Sequence, residues 1–328
     1  MVQAPKKSNS LNILNAEPQG YSQEAGAVLA ELGEVDAKEM SRSQLLKELD
    51  TYDVLIVRLG HQIDRAVIDA GRRLRAIVTA TTGLDHIDVT YAQKRGIAVL
   101  SLRGETEFLQ DVRATAEHTW ALLLALLRQI VPASIAARQG NWDRDQFRGQ
   151  EVFGKRLGIV GLGRIGQKIA RYGQTFGMDV AAFDPLVEKW PDGVRRERRL
   201  TDLLKKSDIV SLHVPLNSDT REMIGTAELA LLPPGSVLVN TSRGRVVDEK
   251  ALIEALESKR LAGAALDVVC GERSSENLAG SQILDYARRH DNVLITPHIG
   301  GATHESMAKT EVFMADKLTK FLRSIDKD

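Results

Sequence analysis

What is scarce in these 328 residues narrows the field before any motif is read. There is one cysteine, Cys270. A single thiol excludes an intrachain disulfide framework and a cysteine-cluster metal site. It also fits a reducing compartment, so a cytoplasmic location is expected. Net charge is missing too. Lys+Arg and Asp+Glu each number 44, which argues against a nucleic-acid or anionic-membrane partner. The most apolar run, WALLLALL (120–127), is far below the roughly 20 residues that span a bilayer. The first residues, MVQAPKKSNSLNIL, hold no apolar segment of signal-peptide length. HExxH and close histidine pairs are lacking, so no metal is expected. No internal repeat and no low-complexity segment is present.

What is there is alternation. Short β-branched runs take turns with segments of helical period, the pattern of an α/β protein built on parallel sheets. A first series of strands is expected at LNIL (11–14), DVLIV (53–57), RAIVTA (75–80) and IAVLS (97–101), with helices at 22–33 and 64–71 between them. A second series is expected at RLGIVG (156–161), DVAAFD (179–184), DIVSLH (208–213), SVLVNT (236–241), GAALDV (263–268) and NVLITP (292–297). Its helices fall at 164–176, 201–206, 248–258 and 280–289. Between the two series, ATAEHTWALLLALLRQIV (114–131) is apolar nearly all round and predicts one buried helix. A last helix over 303–324 can complete either series.

RLGIVGLGRIGQKIARYG (156–173) is a strand, a GxGxxG and a helix. A glycine pattern alone is weak, but here the strand leads straight in and the helix straight out. The next strand ends in Asp184, 23 residues after Gly161, close to the ~20 of a dinucleotide fingerprint. Gly161 makes the tight turn, Gly163 lets backbone approach a pyrophosphate, and Gly166 lets the helix pack on the strand. Helix N–H groups then meet the phosphates. Asp184 accepts from both ribose hydroxyls and repels a 2′-phosphate, which favours NAD over NADP.

Each later strand ends in polar residues, at His213, at Thr241-Ser242-Arg243, at Asp267 with Glu272 beyond, and at His298. Ligands of open parallel sheets bind outside the carboxyl ends of the strands, so Arg243, Asp267, Glu272 and His298 are expected along one rim. An arginine fork grips a carboxylate. A histidine moves a proton near neutrality, and a neighbouring carboxylate stabilises its imidazolium form. With a nicotinamide, the sum is hydride transfer at C2 of a 2-hydroxy or 2-oxo acid. Plainer readings of the same residues are a surface arginine in a turn, a loop-capping histidine and a solvated acid. His213 reads as a strand-end residue beside the cofactor. His61, His86, His118, His290 and His304 read as satisfied surface or helix residues.

These motifs together, LGIVGLGRIG with Asp184, HVPLNSDT (213–220), NTSRGRVVDEKALIEAL (240–256), ALDV with Glu272 and NVLITPHIGGAT (292–303), resemble those of the D-isomer-specific 2-hydroxyacid dehydrogenases. The resemblance runs nearly the length of the chain. It implies Arg243 for the substrate carboxylate, His298 as acid–base and Glu272 as its partner. It implies cofactor contacts from Gly161, Gly163, Arg164, Ile165, Gly166, Asp184, His213, Val214, Pro215, Thr220, Thr241, Ser242, Asp267 and Gly300, with Asp267 on the nicotinamide carboxamide. Two Rossmann-like/flavodoxin-like parallel-sheet domains are implied, with an inter-domain active-site cleft. The substrate domain is expected at 1–103 plus 299–328 and the NAD-binding domain at 104–298, in a homodimer formed through the latter. TTGLDHID (81–88) looks like the family's substrate loop, with Thr82, Gly83 and Leu84 touching the substrate, and VRLG (57–60) like its neighbour, with Arg58 and Leu59.

Two stretches depart from the family. Arg273 follows Glu272 where proline is common, and SLRGETEFLQDVRATAEH (101–118) is a longer connection than usual. Within the class, D-3-phosphoglycerate is the leading substrate, because Arg58 beside the substrate loop offers a cation to a phosphate. No appended regulatory domain is expected after the last helix. Glyoxylate, hydroxypyruvate and larger sugar acids remain alternatives. Oxidation of formate or phosphite on the same scaffold is another, and so is an NAD-sensing, corepressor-like binding protein with weak turnover.

Overall fold

Every apolar run read as a strand forms one in the structure, a computed structural model that describes residues 11–273 and 275–325. The chain divides into two units, Met1–Leu109 with Thr303–Asp328, and Gln110–Ala302. The boundaries expected from sequence were 103/104 and 298/299; the units change over at 109/110 and 302/303.

The first unit holds β1 (Leu11–Asn15), β2 (Gly33–Ala37), β3 (Val54–Val57), β4 (Ala76–Thr79) and β5 (Ala98–Leu100), all parallel in the order β2-β1-β3-β4-β5. This is the flavodoxin-like order, which reverses between β1 and β3. Central β3 and β4 are buried along their whole length. Edge strand β2 was not anticipated. The helix expected over 22–33 stops at Ala30, and GEVDA, largely solvent-facing, pairs with β1. Gly33 permits the pairing, since a Cβ there would lie 2.0 Å from the Leu11 carbonyl oxygen.

The last helix, His304–Ile325, belongs to this unit and packs on the Gln23–Ala30 helix. Its Glu311 is 2% exposed. That carboxylate accepts the Ser22 N–H at 2.7 Å and Arg58 Nη2 at 2.6 Å. An acid so buried is stable only when paired and hydrogen-bonded, and here it is both.

The second unit holds β6 (Arg156–Val160), β7 (Asp179–Phe183), β8 (Arg195–Arg196), β9 (Ile209–Leu212), β10 (Ser236–Asn240), β11 (Leu261–Leu266) and β12 (Val293–Ile295). All are parallel, in the order β12-β11-β10-β9-β6-β7-β8. That is the dinucleotide-fold order with one added strand, reversing between β6 and β9. One apolar cluster centres on Leu238, Leu252 and Leu266, and another on Leu123, Ile159 and Val239.

The single helix expected over 114–131 is two. Ala114–Leu127 is the buried one; Ile130–Arg138 follows with no buried residue. Gln129 between them takes the left-handed conformation, φ 51°. Pro132 explains the break. Inside a continuous helix it would lose a hydrogen bond and strike the preceding turn, but in a helix's first turn it costs nothing. Ile130, Val131 and Ile135 of the second helix are exposed, as are Trp142, Phe153 and Phe176 elsewhere in this unit. Among the described residues, no single helix is long and apolar enough to cross a membrane.

Candidate active site

The carboxyl ends of β10, β11 and β12 are neighbours, and each carries one of the expected residues. Asn240 closes β10 and shapes the turn after it. Its side chain is buried, accepts the Ser242 N–H (3.0 Å) and hydroxyl (2.7 Å), and donates to the Arg243 carbonyl (2.9 Å). This folds the Thr241–Arg243 turn, leaving Arg243 extended with Nη1 on the Ser242 carbonyl at 2.7 Å. Gly244 then lets the turn touch the next loop, because a Cβ there would come within 2.3 Å of the Val269 carbonyl carbon.

That loop comes after β11 and brings Glu272 back towards the rim. Glu272 Oε2 accepts the Val269 N–H at 3.3 Å, and Glu249 Oε1 accepts the Cys270 N–H at 3.1 Å. Burial, with Glu249 next in effect, pushes the Cys270 thiol up to about 11, so it is neither thiolate nor nucleophile at neutral pH. Glu272 Oε1 meets His298 Nδ1 at 2.7 Å, both side chains partly buried. With Nδ1 committed to the carboxylate, Nε2 is the ring nitrogen left for proton transfer.

His298 has φ 54°, a left-handed backbone that non-glycine residues seldom adopt. Asp267 imposes it. The His298 N–H donates to the Asp267 carbonyl at 2.9 Å. The next two N–H groups, of Ile299 and Gly300, donate to Asp267 Oδ1 (2.9 Å) and Oδ2 (2.8 Å). Thr296 Oγ1 donates to Oδ1 at 2.6 Å, and His118 Nε2 lies 3.1 Å from the same oxygen. Asp267 was expected as a nicotinamide ligand; its carboxylate is 1% exposed and organises the His298 loop. The Gly300 N–H is likewise engaged inside this loop. His118, read from sequence as an ordinary helix residue, reaches the rim from the Ala114–Leu127 helix. So does Thr119, whose hydroxyl lies 2.7 Å from that of Thr241.

At the reversal between β6 and β9 the glycine pattern has the geometry a dinucleotide needs. Gly161, φ 91°, has no room for a side chain, since a Cβ would sit 2.5 Å from the His213 carbonyl oxygen and 2.9 Å from Val214 Cγ1. A Cβ at Gly166 would fall 2.1 Å from the Gly161 carbonyl oxygen. Gly163 faces open space and caps the Arg164–Thr175 helix without a side-chain partner, which leaves its first-turn N–H groups for an anion. These residues fit a bound pyrophosphate. Ile165 packs on the core. Arg164 Nη1 donates to the Val112 carbonyl at 2.7 Å, and burial lowers the guanidinium pKa from its usual range.

Asp184, just past β7, accepts the Leu162 N–H on Oδ2 and the Leu186 N–H on Oδ1, each at 2.8 Å. Each oxygen keeps a lone pair for a ribose hydroxyl. His213 ends β9 with Nε2 2.8 Å from the Ser211 hydroxyl, and burial holds its pKa down at about 3. It is a neutral ring beside the phosphate loop. Thr220 closes the 215–220 turn through the Pro215 carbonyl at 2.5 Å.

In the other unit, Arg58-Leu59 and Thr82-Gly83-Leu84 come just after adjacent strands β3 and β4. The Thr81 hydroxyl donates to the Gly83 carbonyl at 2.9 Å, and Leu84 is buried. Arg58, expected to offer a cation to a substrate phosphate, has its guanidinium engaged within this unit. Nη2 pairs with buried Glu311, Nη1 donates to the Gln19 carbonyl at 2.7 Å, and its backbone N–H is held by Glu17 at 2.9 Å. It anchors the last helix, and a position beside a loop in sequence gave no sign of that partner.

Residues 120–300 match the family model for the NAD binding domain of D-isomer specific 2-hydroxyacid dehydrogenases. The chain belongs to this family. As a member it has the NAD-binding domain of a group of NAD-dependent oxidoreductases. It is 37% identical over 317 residues to D-3-phosphoglycerate dehydrogenase of Methanocaldococcus jannaschii, covering 95% of this chain and 58% of that protein. The chain thus spans little more than half the length of that relative. With hydroxypyruvate reductase of Thermotoga maritima it shares 35% identity over 88% of this chain and 91% of the relative. Among solved structures, D-lactate dehydrogenase from Aquifex aeolicus, complexed with NAD and lactic acid, superposes with a TM-score of 0.83. That match is 30% identical and covers 95% and 96% of the two chains.

Proposed function

We propose that this dehydrogenase interconverts a small unphosphorylated 2-oxo acid, hydroxypyruvate or glyoxylate, and its D-2-hydroxy acid. The observation that carries the dehydrogenase reading is the 2.7 Å contact between His298 Nδ1 and Glu272 Oε1, on the rim that also presents Arg243. Arg243 holds the substrate carboxylate in its fork. In reduction His298 starts as the imidazolium, Nδ1–H donating to Glu272, and Nε2 delivers its proton to the carbonyl oxygen. NAD, when bound, supplies or accepts the hydride at C2. Gly161, Gly163 and Gly166 with the first turn of the Arg164–Thr175 helix hold its pyrophosphate, and Asp184 its ribose. Thr82, Gly83 and Leu84 keep their role as backbone contacts to substrate on the family resemblance.

The Arg58–Glu311 ion pair engages the cation on which the phosphate reading rested, which supports an unphosphorylated acid. Likeness to the M. jannaschii phosphoglycerate dehydrogenase keeps D-3-phosphoglycerate as the second reading. The exposed face around Ile130, Ile135 and Trp142 supports a homodimer, as is usual in the family, and the single thiol supports a cytoplasmic location.

The deciding measurement is NADH oxidation at saturating cofactor against hydroxypyruvate, glyoxylate, pyruvate and 3-phosphohydroxypyruvate. Hydroxypyruvate or glyoxylate is expected to be preferred, and Arg243→Ala to lower kcat/KM at least about a hundredfold. Preference for the phosphorylated acid sinks the substrate assignment. Tight NADH binding with no turnover of any acid sinks the enzyme reading and favours a nucleotide sensor.

A further inference from the structure

The Ala114–Leu127 helix supports the rim at three consecutive strand ends. Thr119 meets Thr241 past β10, and His118 meets Asp267 past β11 and Thr296 past β12. A side chain at Gly300 would come 3.4 Å from Thr115 Cγ2 and 3.6 Å from His118 Cδ2. The proton on His118 can be placed. Thr296 has one hydroxyl hydrogen, and it points to Asp267 Oδ1 at 2.6 Å. Thr296 Oγ1, 2.9 Å from His118 Nε2, is therefore the acceptor of that contact. The Asp267 carboxylate is an acceptor too. Nε2 carries a hydrogen shared between two oxygens.

We propose that His118 is a positioning residue for His298, donating from Nε2 to the Asp267–Thr296 pair that sets the left-handed backbone of the acid–base. The proposal rests on the reading of His298 as acid–base, and His118 touches none of the reacting atoms. A left-handed non-glycine residue persists only where its surroundings over-determine it. The determinant here is one buried carboxylate, whose Oδ1 takes hydrogens from Thr296, Ile299 and His118. Losing the His118 donor leaves that oxygen under-satisfied and the carboxylate free to turn. The Ile299 and Gly300 N–H groups then lose their acceptor, and His298 loses its fixed direction towards Glu272. The charged partner of His118 is Asp267 and that of His298 is Glu272; Glu117, next to His118, faces solvent.

The test uses the full chain and three variants. His118→Leu removes the donor, Thr296→Val removes the hydroxyl at nearly constant shape, and His118→Gln places an amide N–H near the position of Nε2. Amide hydrogen exchange at Ile299 and Gly300 is measured without ligand, and kcat and KM with NADH and hydroxypyruvate. Leu and Val variants are expected to speed exchange at both amides and to lower kcat roughly tenfold, since small misplacement of a catalytic group is costly. KM for NADH should stay within about twofold. Gln should restore both readouts. Unchanged exchange in the Leu variant overturns the proposal, as does faster exchange with full kcat, or a Gln variant as impaired as Leu. A wild-type chain that reduces no 2-oxo acid overturns the acid–base reading and this proposal with it; failure of the variants alone overturns only this proposal.

Discussion

His213 and His298 both follow strands on the same rim, yet the acid–base role proposed for His298 is closed to His213. His213 is partly buried, and burial holds its pKa down at about 3, so it is a neutral hydrogen-bonding ring near neutral pH. The consequence is a stability slope. In the unfolded chain this histidine takes a proton as pH falls through about 6.5, while the folded chain resists until about 3. Stability from this group is therefore full above about 6.5 and is lost as pH drops towards 3. Urea unfolding at pH 7 and pH 5 should show wild type losing up to about 2 kcal/mol more than His213→Gln. Parallel losses in the two proteins would rule the burial argument out. The placement of Arg243, Glu272 and His298 beyond neighbouring strand ends was legible in the sequence, because each comes after an apolar run that stops abruptly. His118 was not, because one histidine on an apolar helix looks the same whether it faces solvent or a buried carboxylate. The ion pair of Arg58 was not legible for a related reason, its partner Glu311 lying 253 residues away.

At the scale of elements, the phosphate loop separates two uses of glycine. Gly166 exists for packing and Gly163 for approach. Gly166→Ala drives a methyl into the Gly161 carbonyl and should cost at least about 2 kcal/mol in unfolding free energy. Gly163→Ala meets open space and should leave stability nearly unchanged while weakening NAD binding roughly tenfold or more. Chemical denaturation together with NADH fluorescence titration reads both; equal destabilisation by the two would refute the distinction. The strands with long β-branched runs could be read directly. Edge strands β2 and β8 could not, since GEVDA and RR carry almost no buried surface and form only because a neighbour offers its edge. The helix break at Gln129 was visible in Pro132, but the apolar run around it pointed to one buried helix.

Across the whole molecule, the apolar face of the second unit is the feature a solitary chain accounts for least. Exposed Ile130 and Ile135 on one short helix, with a Trp142 that is 87% exposed shortly after it, favour association. Light scattering should give twice the 36.1 kDa chain mass, and Ile135→Glu with Trp142→Ala should return the chain mass with the far-ultraviolet circular dichroism kept. A wild-type monomer at micromolar concentration would remove the homodimer from the proposal.

The Arg58–Glu311 pair also has a consequence in time. The first unit is discontinuous in the chain, while the second, Gln110–Ala302, is one unbroken stretch. On the ribosome, Arg58 emerges about 250 residues before the acid that neutralises it, a delay of roughly 13–50 seconds at ordinary synthesis rates. During that interval the second unit can complete its sheet, while the first holds a guanidinium and an uncovered helix face with no counterpart yet made. Of the two units, the one whose first segments are made earlier is thus expected to close later, because its closing helix, His304–Ile325, follows the whole of the other unit in the chain.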